Sequence, residues 1–268
     1  SDGETINREP LIFGDRYVVI HGNAHVSGSV YGGSRNASAE GDNHVIMVSG
    51  NIGGSVFGGP FMGSLKGDSY VYAGDYAKDK ADEIQIYADV GEEGLSVGLG
   101  IYGGGDVGDP ANPDLSNAVT IQGNSTVLIG RNVLDGDEVD YGTGGYGSPS
   151  YSYIPISVGT ISGAGNAGTV GGTSHVTISG IELGADGSLY SVQRTMELLF
   201  LCSDVSFRGE YDGTESGPSE VWSMSSIELL TIRDSTLRMS SQAGSIEEIR
   251  VSDTGGVRSR LCLYNGSV

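Results

Sequence analysis

The densest group of hard ligands in the sequence is Leu134-Asp135-Gly136-Asp137-Glu138-Val139-Asp140, with four carboxylates in six positions. Asp at alternate positions beside Gly can wrap a hard cation, because Ca²⁺ takes about six to eight oxygens from a tight turn. Asp135, Asp137 and Asp140 are therefore the candidate metal ligands, and calcium is the candidate ion; no cofactor is otherwise required. The loop lacks the central Gly and the closing Glu of an EF-hand, so a solvated acidic loop is the competing reading. Asp106, Asp109 and Asp114, with Pro110 and Pro113, form a second and sparser acidic loop.

Tyr141, Tyr146, Tyr151 and Tyr153 follow in a Gly/Ser/Pro-rich loop. Exposed aromatic faces stack on sugar rings or on protein partners, which makes these four the candidate ligand-binding residues for a host protein or a glycan. The competing reading packs the rings down onto the wall of the fold.

Acid–base chemistry on a polysaccharide needs two carboxylates at a set separation, or Ca²⁺ with a base to take a proton. Bases are scarce, 14 Lys and Arg against 34 Asp and Glu, and none is spaced recognisably with the acids. His21, His25, His44 and His175 fall at or near strand positions; His44 and His175 each precede an apolar run, which suggests stacking or surface roles. There is no G-x-S-x-G elbow, Walker loop or H-E-x-x-H pair. Gly103-Gly104-Gly105 belongs to a repeat described below and not to a phosphate cradle. No catalytic residue is assigned. Cys202 and Cys262 match no metal or redox spacing; they are either free or form one bridge, which sequence alone does not establish. The sequons at Asn36, Asn124 and Asn265 are expected by chance in so Gly- and Asn-rich a chain.

Short strands must position these residues. Hydrophobic residues make up 37% of the chain, and they fall in runs of strand length. The best helix-period segment is the short one from Asp75 to Ile84. Gly accounts for 46 of 268 residues, against a usual share of about 7%. The formal charge of −20 repels phosphate backbones and anionic lipid, so neither nucleic acid nor a membrane surface is an expected partner. No apolar run approaches the roughly 18 residues of a membrane span, and no charged-then-apolar leader opens the sequence. A soluble, monomeric body is expected, part of a longer protein.

Internal repetition carries most of the information. Ile20-His21-Gly22-Asn23, Val48-Ser49-Gly50-Asn51 and Ile121-Gln122-Gly123-Asn124 share one phrase, with a weaker copy at Ile178-Ser179-Gly180-Ile181. A second phrase reads Gly28-Ser29-Val30-Tyr31-Gly32-Gly33, then Gly54-Ser55-Val56-Phe57-Gly58-Gly59, with a relative at Gly100-Ile101-Tyr102-Gly103-Gly104-Gly105. Tyr31 and Phe57, 26 residues apart, would stack as an aromatic ladder. Nearer the C-terminus, Ile227-Glu228-Leu229-Leu230-Thr231-Ile232 aligns with Ile246-Glu247-Glu248-Ile249-Arg250-Val251 at an offset of 19 and with Met196-Glu197-Leu198-Leu199-Phe200-Leu201 at an offset of 31. The longer offset accommodates a turn-rich insertion at 212–218. Second runs follow at Val205-Ser206-Phe207, Thr236-Leu237-Arg238-Met239 and Val257-Arg258, and Leu261-Cys262-Leu263-Tyr264-Asn265-Gly266 reads as the start of another strand and turn.

A period near 20 with variable insertions marks a solenoid. Its units carry short alternating strands, and none has the helix that a leucine-rich or ankyrin unit needs. Such strands bury their inward faces only when coils stack, with Gly and Asn turning the corners where φ > 0 is needed. The expected fold is an all-β, right-handed parallel β-helix with irregular coils of about 19–26 residues and loop insertions. It spans 1–268 as one solenoid, Gly-rich with long loops over 1–173 and tighter over 174–268. On the order of 10–13 coils would make a rod roughly 50–60 Å long.

The Gly-Ser-Val-Tyr/Phe-Gly-Gly phrases and the Ser-Ile-Glu-x-Leu/Ile-x-Ile/Val phrases resemble the β-helical repeats of large bacterial surface proteins, adhesins and autotransporter-like passengers among them. The resemblance is one of repeat style over nearly the whole chain. It implies a secreted, extracellular, cell-surface role, structural or adhesive and non-enzymatic. The alternative is a carbohydrate-active β-helix enzyme, a polysaccharide lyase or glycoside hydrolase, in which carboxylates and Arg from several successive coils would line a groove.

Overall fold

The computed structural model describes residues 11–35, 37–89, 91, 94–106, 119–131, 156–166, 168–183, 188–190, 196–201, 204–208, 227–233, 235–240, 246–253 and 259–264. The described residues form 23 strands and one helix, and every strand pairing among them is parallel.

One long sheet organises the rest. Its eight strands are Arg16–Ile20, Asn43–Met47, Ser69–Gly74, Ser125–Gly130, Ser174–Ser179, Met196–Leu201, Ile227–Arg233 and Ile246–Ser252, side by side in chain order. From Arg16–Ile20 the chain passes through His25–Val26 and Val30–Tyr31 in a second sheet, then Ser38–Ala39 in a third row, and returns to the long sheet at Asn43. The next three circuits take the same order. The third row runs Ile12, Ala39, Leu65, Ile121, Val170. After Ser174–Ser179 a fourth sheet appears, made of Glu182–Leu183, Asp204–Arg208, Thr236–Ser240 and Arg260–Tyr264.

Alternation decides what is buried. In the long sheet Val45, Val71, Val127 and Val176 lie opposite one another and are buried. They share a core with Ile52, Val56, Val97, Ile101 and Ile161 of the second sheet. Each such side chain contributes roughly 1.5–3 kcal/mol on burial. A satellite core of Ala39, Leu65, Ile121, Ala164 and Val170 fills the third row.

The helix α1 (Asp75–Glu83) follows Gly74 directly. Asp75 sits in its first turn, where a carboxylate favours the helix dipole, and Lys80 pairs with Glu83 at 2.9 Å. Ala77 and Ala81 are buried against Ile46 and Val48, with Val19, Tyr72, Ile84 and Ala88 around them. This covers the outer face of the long sheet near its start. The strand Asn43–Met47 is consequently buried at all five positions, as expected of a strand covered on both faces.

The glycine corners have the expected cause and a second one: nine described glycines, Gly22, Gly50 and Gly180 of the repeat phrases among them, have positive φ, and others sit where successive circuits nearly touch. A Cβ on Gly32 would lie 2.3 Å from the Gly58 carbonyl oxygen, one on Gly58 2.5 Å from that of Gly103, and one on Gly103 2.5 Å from that of Gly163. These corners need Gly because successive circuits approach too closely for any side chain. No Asn among the described residues has positive φ; the one non-Gly case is Gln85. The buried corner carbonyls are met by side chains of the long sheet. The Asn43 amide donates to Gly58 O at 3.0 Å, and the Ser69 hydroxyl donates to Gly103 O at 2.6 Å. The Ser125 hydroxyl donates to Gly163 O.

Several expectations about repeats change. Ile227 pairs with Ile246 at the expected offset. Met196 pairs with Ile227, but a bulge then sets Glu197 opposite Leu229 and Phe200 opposite Ile232. The slip keeps buried Leu230 and Ile232 facing inward. The Ile20 and Val48 phrases are out of step, since Ile20 pairs with Met47 and His25 with Asn51. Ile121 belongs to the third row and Ile178 to the long sheet, so that phrase marks no single structural position. The run Leu261–Tyr264 lies in the strand Arg260–Tyr264, paired with Thr236–Ser240, as expected of a further strand; Asn265 and Gly266, like Val257 and Arg258, lie outside the described residues.

Among the described residues the long sheet has eight strands, against 10–13 coils expected. Seven steps of about 4.8 Å span about 34 Å. The circuits from Ser69 to Ser125 and from Ser125 to Ser174 use about twice the residues of their neighbours, which accounts for the shorter stack.

Candidate functional site

The residues singled out for metal and ligand binding, Asp135, Asp137, Asp140, Tyr141, Tyr146, Tyr151 and Tyr153, lie outside the described residues, as do Asp109, Asp114, Cys202 and the side chain of Cys262. Asp106 is described. Its backbone N–H donates to Pro60 O at 3.0 Å, and its carboxylate accepts the Tyr31 hydroxyl at 3.3 Å. Among the described residues, no three or more His, Cys, Asp or Glu side chains are grouped to hold a metal.

The ladder expected from Tyr31 and Phe57 is present. Their rings stack at 4.9 Å and 5°, and Tyr102 continues the column on Phe57 at 4.8 Å and 14°. A second column has no matching phrase in the sequence. Tyr17, His44 and Tyr70 occupy the second position of three successive strands in the long sheet. The His44 ring lies 4.7 Å from Tyr17 and 4.9 Å from Tyr70, within 7° of parallel to each. Burial, followed by the charge on Lys80, lowers the His44 pKa, so the imidazole is neutral at pH 7. The available signal was the strand position shared by these three residues.

A third column joins polar residues. The Asp15 carboxylate accepts the Asp42 N–H at 2.9 Å, and the Asp42 carboxylate accepts the Asp68 N–H at 2.9 Å. Asp68 accepts from Asn124 at 2.7 Å, and the Asn124 side chain accepts from Thr173 at 3.0 Å. Successive circuits thus do align carboxylates, with Arg16 beside them donating to Gly14, Glu40 and Gly41 carbonyls and to Asn43. One oxygen of each carboxylate is committed to a backbone amide, so the line works as a ladder that holds the corner. The sequence signal is Gly-Asp/Asn immediately before the long-sheet strand: Gly14-Asp15, Gly41-Asp42, Gly67-Asp68 and Gly123-Asn124.

Two of the hollows among the described residues bear on binding. One, about 450 Å³, is lined by polar groups of Asn23, His25, Asn51 and Ser96 and by Gly22, Gly50 and Gly94. The other, about 360 Å³, is lined by Tyr31, Gly33, Arg35 and Phe61. Phe61 meets Tyr31 edge-on, with centroids 5.4 Å apart at 80°. The Arg35 guanidinium carbon stands 6.0 Å from the centre of the Phe61 ring. Burial first, then the Asp106 charge and hydrogen bond, push the Tyr31 pKa up, so the phenol stays protonated and keeps donating to Asp106. This hollow combines an aromatic wall, a fixed hydroxyl and a cation. Comparison with family models, with curated proteins and with solved structures finds no match to this chain.

Proposed function

We propose that the chain is a right-handed parallel β-helix that serves as a non-enzymatic segment of a secreted bacterial surface adhesin. It acts as a stalk and takes host protein or glycan ligands through surface sites beside its loops. The observation that carries this reading is the set of side-chain ladders. Tyr31–Phe57–Tyr102, Tyr17–His44–Tyr70 and Asp15–Asp42–Asp68–Asn124 each tie one circuit to the next, which suits a part whose work is to hold a fixed spacing. The right hand follows from the preference of parallel strand crossovers. The net charge of −20 suits an exposed, well-solvated shaft.

The test is location and adhesion. Protease treatment of intact producing cells removes the chain from the surface, and beads coated with it are retained on glycan-bearing cells. Recovery only from the cytosol, together with no retention of beads, overturns the reading.

A further inference from the structure

We propose that the hollow bounded by Tyr31, Gly33, Arg35 and Phe61 is a binding subsite for a carboxylate-bearing sugar, a single uronic or sialic acid unit of a surface glycan. The proposal rests on the adhesive reading and gives it a ligand class.

The size suits one small ligand, since about 360 Å³ lies at the lower end of the roughly 300–1,000 Å³ typical of such pockets. Tyr31 and Phe61 meet at 80° and form an angled aromatic wall. A pyranose has a C–H-rich face that packs on an aromatic ring while its hydroxyls remain in water.

The wall is set before any ligand arrives. Tyr31 is backed by Phe57, and its hydroxyl is held by Asp106. The two loops that carry Arg35 and Phe61 are bound together: Phe61 N–H donates to Ser34 O at 3.1 Å, and Met62 N–H donates to Arg35 O at 2.8 Å. Gly33 lets the floor close, since a Cβ there would lie 2.8 Å from Pro60 N. Groups already ordered lose little freedom on binding.

Arg35 chooses the ligand's charge. Four other cations of this acidic chain pair with carboxylates: Lys66 with Glu40, Lys80 with Glu83, Arg131 with Asp75, Arg250 with Glu248. Arg35 is exposed and forms no ion pair among the described residues. A planar guanidinium with free donors beside an aromatic wall fits bidentate capture of a carboxylate. The chain's net charge of −20 works against a dense polyanion. An isolated acidic sugar unit meets Arg35 and, behind the Tyr31 hydroxyl, the Asp106 carboxylate, so its carboxylate belongs at the Arg35 side of the hollow; charges further off are screened beyond about 8 Å at physiological salt.

Saturation-transfer NMR and calorimetric titration with methyl glucuronide and methyl glucoside, which differ at the carboxylate, test the proposal. The glucuronide is expected to receive saturation from aromatic protons and to bind at least about tenfold more tightly than the glucoside, a difference of about 1.4 kcal/mol. Arg35→Gln removes that preference, Arg35→Lys restores part of it, and Phe61→Ala weakens both sugars. Arg35 is exposed, so Arg35→Gln is expected to melt with the parent and decides the matter if Phe61→Ala unfolds. Absence of binding by either sugar overturns the proposal, as does equal binding unaffected by Arg35→Gln. Coated beads separate the two readings. Arg35→Gln beads that adhere like the parent sink the subsite and leave adhesion standing. Parent beads that fail to adhere while Arg35-dependent glucuronide binding persists sink adhesion and leave the subsite.

Discussion

The carboxylate of Asp42 accepts the backbone N–H of Asp68 at 2.9 Å, one full circuit further along the chain. The same bond recurs from Asp15 to Asp42 and from Asp68 to Asn124. A side chain thus supplies, at each corner, the acceptor that a strand ladder supplies elsewhere. Asn124 continues the ladder as a neutral residue, so the geometry of the acceptor matters more than its charge.

Asp42→Ala should destabilise the fold by about 1–2 kcal/mol, the usual cost of leaving a backbone donor without its charged acceptor. Asp42→Asn keeps an acceptor and removes one of three aligned charges, so it should match or exceed the parent. Urea unfolding of both variants checks this; equal losses would mean that charge, not geometry, holds the corner.

Gly103→Ala places a methyl 2.5 Å from the Gly163 carbonyl oxygen. The clash is with backbone, and the buried Ser125 and Val127 side chains stand 3.0 Å away, so little room is left to yield and the expected loss is about 3 kcal/mol or more. Gly28→Ala, with nothing within 4 Å, should stay within about 0.5 kcal/mol of the parent. Thermal melting of the pair distinguishes close approach from general glycine flexibility as the reason for the corners.

Ser69→Ala removes the donor to Gly103 O from a fully buried position. A buried carbonyl left without this partner costs about 1–3 kcal/mol. Ser69→Cys, with a weaker donor of similar shape, should fall between. A serine variant as stable as the parent would show that Gly103 O finds another donor.

His44 makes stability depend on pH. Burial and Lys80 lower its folded pKa, so the unfolded chain takes the proton first, near pH 6.5. The contribution is therefore complete above about pH 6.5 and is lost as pH falls through the folded value. Stability measured from pH 8 to pH 5 should fall more steeply in the parent than in His44→Phe, which keeps a ring between Tyr17 and Tyr70. Parallel curves for the two proteins would exclude His44 as the cause.

Much of the architecture was legible where one residue type recurs at one coil position. Tyr31 and Phe57 stack as their shared phrase implied, and Ile227 meets Ile246 at the spacing of their phrases. His44 stacks as its place before an apolar run suggested, but its partners Tyr17 and Tyr70 were hidden because unlike residues fill equivalent sites. Stacking needs flat rings and not identical ones. The coil count came out too high because the two long circuits insert residues without adding strands to the stack, and period arithmetic counts every residue. The Ile/Val-x-Gly-Asn phrase misled for a related reason. Gly followed by Asn serves wherever the chain turns, so the phrase recurs at different corners. Asp106 was visible as an acid in a loop, but its bond to Tyr31 crosses 75 residues and no local pattern announces it. The hollow at Arg35 and Phe61 depends on two loops brought together by circuit stacking, which sequence spacing alone did not point to.

The helix α1 lies over one stretch of one sheet, and this gives the long sheet a covered and an uncovered part of its outer face. Strands beside α1 cannot pair or pack with a neighbouring molecule across that face. Any lateral association of copies would be steered to the uncovered faces, so one short insertion can set how neighbouring molecules are arrayed.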